Sequence, residues 1–201
     1  MDRNQHRQSF SIHPYQIFVY LLIGAITVLF LSLTVAYLYT RVQHGLSPLK
    51  VPVIFIFNTF ILLASSFCLI KAKRAYKDDN TGFYKKMLLV TIVLSICFMI
   101  SQAYGWYRLF QSNLPLGVNN GVSYVYLISG VHFAHILAGM PFLIGFYRAA
   151  RIRMVEPVSV LLYFSDPEKK TRLQLLTLYW HFLDILWIYL VVFFWLNYLL
   201  S

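Results

Sequence analysis

Three imidazoles and one carboxylate are the groups in this chain whose types and spacing could do chemistry. His132 and His135 stand three apart in one long apolar run, and His181 and Asp184 stand three apart in the last one. If both runs are helical, each pair shares a face. Iron, copper and zinc accept these ligand types, so one chemistry is a metal or haem centre between two facing helices. A second is an interhelical hydrogen-bond network that fixes helix register in a medium without water. A third is a proton relay. Two such residues on each helix, with no adjacent nucleophile or second acid, form a loose pattern for a centre, and the spacing favours the network. Asp184 is the only acidic residue in any of the apolar runs. A carboxylate at mid-helix costs roughly 2.5 to 3.5 kcal/mol to insert, so it has to face protein and meet a donor.

The elements that position these groups follow from composition. Of 201 residues, 59% are hydrophobic and 12% charged, with a mean hydropathy of +0.65, which excludes an ordinary water-soluble domain. Five apolar runs, about Tyr15 to Tyr39, Val51 to Ile70, Met87 to Phe110, Val122 to Tyr147 and Leu173 to Leu200, each approach or exceed the ~20 residues that a helix needs to cross a bilayer core. The fold class is therefore all-α: a single transmembrane domain, 1–201, formed by a bundle of five helices. The first run is far longer than the apolar stretch of a signal peptide and lacks a small-residue cleavage site, so it is read as a retained helix. Cys68 and Cys97 lie inside apolar runs and behave there as small hydrophobes.

The net charge of +10 is distributed unevenly. Arg3 and Arg7 precede the first helix; Lys71, Lys73, Arg74, Lys77, Lys85 and Lys86 fill the second connection; Arg148, Arg151, Arg153, Lys169, Lys170 and Arg172 fill the fourth. If the helices alternate, these fourteen bases share one side, against Arg41, Lys50 and Arg108 on the other. The positive-inside rule then makes the N-terminus cytoplasmic and the C-terminus external. The basic balance reports orientation and contact with anionic phospholipid headgroups, not a nucleic-acid partner.

Individual faces are also legible. Gly24, Thr27, Leu31 and Thr34 form a small or weakly polar stripe read as a packing face. Asn58, Leu62 and Ser65 share a face of the second helix, with Asn58 pointing into the bundle. Ser95, Met99, Gln102 and Trp106 line the third, and Tyr104 to Arg108 forms an aromatic belt at its outer end. Ser129, His132, His135 and Gly139 line the fourth; Thr177, Trp180, Asp184, Trp187 and Val191 line the last. Asp78 to Gly82 and Asn119 to Gly121 read as turns. Val158 to Phe164 is too short to span and is expected on the cytoplasmic interface or on a partner. No internal repeat and no Gly/Pro-interrupted helix points to a small-solute carrier.

Four stretches together resemble subunit III of the haem-copper terminal oxidases, the cytochrome c and quinol oxidase family. Tyr179-Trp180-His181-Phe182-Leu183-Asp184-Ile185-Leu186-Trp187 is similar to that family's YWHFVDxVW, and Ser129 to Gly139 is similar to its TGxHGxHVxxG. Gln102-Ala103-Tyr104-Gly105-Trp106 resembles QxYEW, and Asn58-Thr59 with Ser65-Ser66 resembles NTxxLLxSS. The matches run in the family's order over essentially the whole chain, which looks like the five-helix form that lacks the first two helices of the seven-helix form.

The resemblance implies a multi-pass subunit of a bacterial-type inner (plasma) membrane. It implies no redox cofactor in this chain; haem and copper belong to the partner catalytic subunit I. Such a subunit packs against subunit I, with subunit II and others in the same complex and a supercomplex as a further partner, holds phospholipid, and supports proton uptake and active-site lifetime during oxygen reduction in aerobic respiration. His132, His135, His181 and Asp184, with Gln102 and Asn58, then form a structural polar network, with no catalytic, cofactor-binding or metal role. The alternative is a self-contained membrane protein binding metal or haem through His132, His135, His181 and Asp184. Two departures matter. The first helix offers only Thr27, Ser32 and Thr34 where the family often has an acid, and Gly105 stands where QxYEW has its glutamate.

Overall fold

The computed structural model describes residues 14–45, 52–154 and 157–200. Arg3, Arg7 and Lys50 lie outside them. The described elements are α1 (Pro14–His44), α2 (Val53–Lys77), α3 (Thr81–Gln111), α4 (Asn120–Arg153), α5 (Pro157–Ser165) and α6 (Pro167–Leu199). Among the described residues there is no strand, and five helices, all but α5, are long and apolar enough to cross a membrane.

Each of the five extends beyond its apolar run. The basic stretch Lys71 to Lys86, expected as a connection, is helical except at 78–80. Hydropathy marks the thickness of the lipid core, whereas the helix continues through Lys, Arg and Ala, which favour it, with long side chains carrying their charges outward. The turn itself follows its sequence. Asp79 adopts a left-handed φ of 51°, and the Asn80 side chain accepts from the Phe83 N–H at 3.0 Å, capping α3. Asn119 caps α4 in the same way, accepting from Val122 N–H at 2.8 Å. α4 runs unbroken through Pro141.

The short apolar patch is α5, and it packs on the chain's own bundle end. The Tyr76 hydroxyl donates to the Tyr163 carbonyl at 3.0 Å, and the Tyr76 and Phe164 rings meet edge to face at 4.9 Å. Asp166 then starts α6, accepting from the Glu168 N–H at 2.9 Å and pairing with Lys169 at 2.9 Å. The hydrogen bond from Lys169 holds the Asp166 carboxyl below the usual carboxylate range.

The expected packing stripe of α1 holds at Thr34, which is buried against Tyr189 of α6, but not at two of its other positions. Gly24 and Leu31 face outward, with nothing within 4 Å of a Cβ built on Gly24. The buried face is Ile26, Phe30, Thr34 and Tyr37. α1 rests on α4 and α6, and large rings rather than small residues fill the space there: Tyr37 meets Phe194 at 5.6 Å and Tyr124 at 6.0 Å.

α6 touches α1, α2, α4 and α5, while α2 lies along α3 and α3 against α4. One apolar cluster, with Leu69, Tyr84, Leu143 and Leu173, sits beside α5; a second, with Phe30, Phe55, Phe98, Leu183 and Phe194, fills the rest of the bundle. The Lys85 ammonium donates to the Met154 carbonyl at 2.8 Å, and Arg172 lies 4.8 Å from the Tyr15 ring. These contacts gather the α2–α3 turn, the end of α4 and the starts of α1 and α6 at one end of the bundle, together with the described bases of the second and fourth connections.

Close approach has specific sites. A Cβ on Gly139 would lie 2.9 Å from both Trp180 Cζ3 and Tyr179 Cε1, so α4 and α6 meet there without room for a methyl group. Gly105 is similar: a Cβ would lie 2.9 Å from Ile54 Cγ2 of α2. Gly130, one helix face away, has nothing within 4 Å. Gly139→Val should therefore cost about 1 to 3 kcal/mol by overpacking, lowering the thermal unfolding midpoint in mild detergent, whereas Gly130→Ala should leave it unchanged or raise it slightly.

Candidate functional site

Many hydroxyls of the apolar runs donate to carbonyls of their own helix, as Thr91 and Ser95 do, while a second set of polar side chains reaches across helix boundaries. Asn58 of α2 donates through Nδ2 to Gln102 Oε1 of α3 at 2.8 Å, both fully buried. The family resemblance implies both in one polar network; the structure pairs the two directly with each other. Trp106 Nε1 of α3 donates to Ser129 Oγ of α4 at 3.0 Å, and Ser129 in turn donates to the Val125 carbonyl. Thr34 of α1 shares a hydrogen bond of 2.9 Å with the Tyr189 hydroxyl of α6. Near the opposite end from α5, Arg41 Nη1 donates to Asn197 Oδ1 at 2.8 Å.

The three histidines occupy three different surroundings. His132 is completely buried among rings, with Trp187 at 5.0 Å, Phe98 at 6.1 Å and Phe30 at 6.3 Å between centroids. Among the described residues neither of its ring nitrogens has a hydrogen-bond partner, so it joins α1, α3 and α6 by aromatic packing. His135 Nδ1 donates to the Val131 carbonyl one turn back at 2.7 Å, and the His135 carbonyl accepts from the Tyr179 hydroxyl at 2.8 Å. This last bond ties α4 to α6 beside Gly139, where the same Tyr179 ring packs.

His181 and Asp184 lie on the α2 side of α6. His181 Nδ1 is hydrogen-bonded with the Ser66 hydroxyl, and Asp184 Oδ2 lies 4.0 Å from the same nitrogen. The Asp184 side chain is 5% exposed, that of His181 28%. Serine, histidine and aspartate are the residue types of a nucleophile relay, which needs the serine on one ring nitrogen and the carboxylate on the other. Here both lie toward Nδ1, so the arrangement does not form one. Ser66 was named by sequence only within a motif; that it reaches α6 while the adjacent Ser65 turns inward needed the α2–α6 crossing.

The four candidate ligands therefore do not converge. Among the described residues, no group of three or more His, Cys, Asp or Glu side chains stands close enough to hold one metal ion. What the residues build is a set of cross-helix contacts around α4 and α6. The class this defines is a polytopic helical membrane protein in which several intramembrane polar groups join helices.

The chain belongs to the cytochrome c oxidase subunit III family, whose profile matches residues 16–198. It is similar to the cytochrome c oxidase subunit 3 of Aepyceros melampus, of Pelea capreolus and of Antilope cervicapra, in each case 29% identical over 152 residues, 74% of this chain and 51% of the relative. The chain thus spans about half the length of the curated relatives it matches. All four motif stretches fall within the matched residues.

The Asn58–Gln102 contact gives a direct measure of such a bond. In a double-mutant cycle with Asn58→Leu and Gln102→Leu, the coupling energy should be about 0.6 kcal/mol and no more than about 1.7, the range for hydrogen bonds between membrane helices. Unfolding of the purified protein in mixed micelles measures it.

Proposed function

We propose that this chain is a non-catalytic subunit III of a haem-copper terminal oxidase in a bacterial-type inner membrane, with its N-terminus cytoplasmic. It packs against catalytic subunit I, holds phospholipid and sustains proton uptake during oxygen reduction without chemistry of its own. The observation that supports this most is how the intramembrane polar side chains are used: Asn58 with Gln102, Trp106 with Ser129, Ser66 with His181, and Tyr179 with the His135 backbone each join two helices. Such contacts hold a shape, and a shape is what a supporting subunit contributes. The gathering of the described bases at the end of the bundle with α5 supports the orientation, through the positive-inside rule.

Two positions limit how the subunit could act on protons. Gly105, where QxYEW has a glutamate, is buried, and a Cβ there would lie 2.9 Å from Ile54 Cγ2 and 3.4 Å from Phe55 Cε1, so any side chain would have to displace α2 residues. α1 offers Thr27 and Ser32, whose hydroxyls donate to their own helix's carbonyls. A carboxylate antenna at either place is absent, so support for proton uptake runs through the fit to the partner subunit.

The test is a gentle purification of the tagged chain from its native membrane, followed by a reduced-minus-oxidised spectrum and identification of the co-purifying chains. Haem and copper should arrive only together with larger oxidase subunits, and should be lost when those are stripped away. Haem or copper retained by the isolated chain would overturn the proposal in favour of a self-contained cofactor protein.

A further inference from the structure

Four buried side chains from four helices keep hydrogen-bonding atoms that no described residue satisfies. Asn58 of α2, Gln102 of α3 and His132 of α4 are 0% exposed, and Trp187 of α6 is 1% exposed. The Asn58 and Gln102 amides share one hydrogen bond, which leaves Asn58 Oδ1 and Gln102 Nε2 without a partner among the described residues. The same holds for Trp187 Nε1 and for both ring nitrogens of His132. Buried polar atoms left unmet are costly and rare in native interiors, so neighbouring ones of this kind call for a common partner.

The four residues lie in one layer. α2 and α3 run antiparallel, meeting at Tyr76 with Tyr84 and at Phe55 with Gly105. Phe55 stands one turn before Asn58 and Phe98 one turn before Gln102, so the two rings bracket the amide pair from opposite sides along the bundle. Trp187 meets both rings, at 5.4 and 5.2 Å between centroids, and its indole therefore spans the height of the amide pair. His132 lies against the same indole at 5.0 Å and against Phe98 at 6.1 Å. Phe30 of α1 closes the layer, 6.3 Å from His132.

Donor and acceptor types point to one ligand. Trp187 Nε1 and Gln102 Nε2 only donate, Asn58 Oδ1 only accepts, and a neutral imidazole offers one nitrogen of each kind. Turning both amides over exchanges their roles and still leaves one donor and one acceptor. A water molecule accepts two hydrogen bonds and donates two. Here it accepts from Trp187 and Gln102 and donates to Asn58 and His132. A cation would need oxygen acceptors where the two N–H groups stand. Burial excludes a lipid headgroup, a partner's side chain and interfacial water, because nothing outside the chain reaches residues this little exposed.

We infer that this layer is an interior water site, in which at least one water molecule bridges Asn58, Gln102, His132 and Trp187 and so joins α2, α3, α4 and α6. Interior waters of folded proteins hold about three such bonds to otherwise unmet groups, and a bridging water is nearly as good a link as a direct bond. The rings around it supply no competing partner. The site is independent of which complex the chain enters.

Two measurements on the intact chain, purified with whatever subunits accompany it, test this. A cryo-electron map at a resolution that shows ordered water should hold a peak about 2.7 to 3.2 Å from polar atoms of at least three of the four side chains. X-ray pulses that make hydroxyl radicals from bound water should oxidise Trp187 at least about threefold more than Trp180, which is 2% exposed and packed on Gly139. Replacing both amides, Asn58→Leu with Gln102→Leu, should lower Trp187 oxidation about threefold or more and leave that of Trp195, which is 49% exposed, unchanged. Direct pairing of the four side chains with one another and no water peak overturns the inference. So does Trp187 oxidation that is no greater than that of Trp180 in the unaltered protein, or that is indifferent to loss of the amides.

Discussion

A polar group inside a bilayer has no water to bond, and apolar side chains gain little by leaving lipid for protein. Helices of this composition are therefore held together by what lipid cannot offer: hydrogen bonds between side chains and contacts too close for an acyl chain to enter. Both devices meet on α6. At Gly139 its backbone partner α4 comes within reach of the Tyr179 and Trp180 rings, and the Tyr179 hydroxyl reaches the His135 carbonyl. Toward α2 it carries His181 and Asp184 beside Ser66, and toward α1 it carries Tyr189 beside Thr34. α6 thus shares a side-chain hydrogen bond with each of α1, α2 and α4.

This arrangement accounts for residues that look chemical in isolation. His132 lies among Phe30, Phe98 and Trp187 and acts as an aromatic plate in the core. His135 is spent on its own helix and on Tyr179. Asp184, the acid of the last span, sits against Ser66 and His181 rather than facing a cleft. Their spread over three surroundings gives them structural parts within the bundle rather than one shared centre.

Much of this was legible in the sequence because the bilayer imposes so strong a filter on composition. The five spans, the inward direction of Asn58, the turns at Asp78 to Gly82 and Asn119 to Gly121 and the polar face of α4 all follow from local pattern. The helix ends did not, since Lys71 to Lys77 favours a helix as much as the apolar residues before it and only the lipid boundary ends there. The packing face of α1 includes Thr34 but departs from the small-residue pattern at Gly24 and Leu31 for a different reason. Small residues allow close approach but do not require it, and on α1 the neighbours are aromatic, so Phe30 and Tyr37 turned inward and Gly24 outward. Pairings such as Ser66 with His181, or Arg41 with Asn197, depend on how distant helices cross, which no local spacing encodes.

In the proposed function, Asp184 and its neighbours act on structure and lifetime, not on the chemical steps. The most direct measurement compares the oxidase carrying Asp184→Asn with the unaltered enzyme under continuous turnover, following both initial oxygen consumption and its decay. The expected outcome is an initial rate close to the unaltered one, a smaller yield of assembled complex, and a faster loss of activity with time. A variant that assembles to the normal extent and yet has no turnover from the first seconds would contradict it and assign Asp184 a direct part in the reaction.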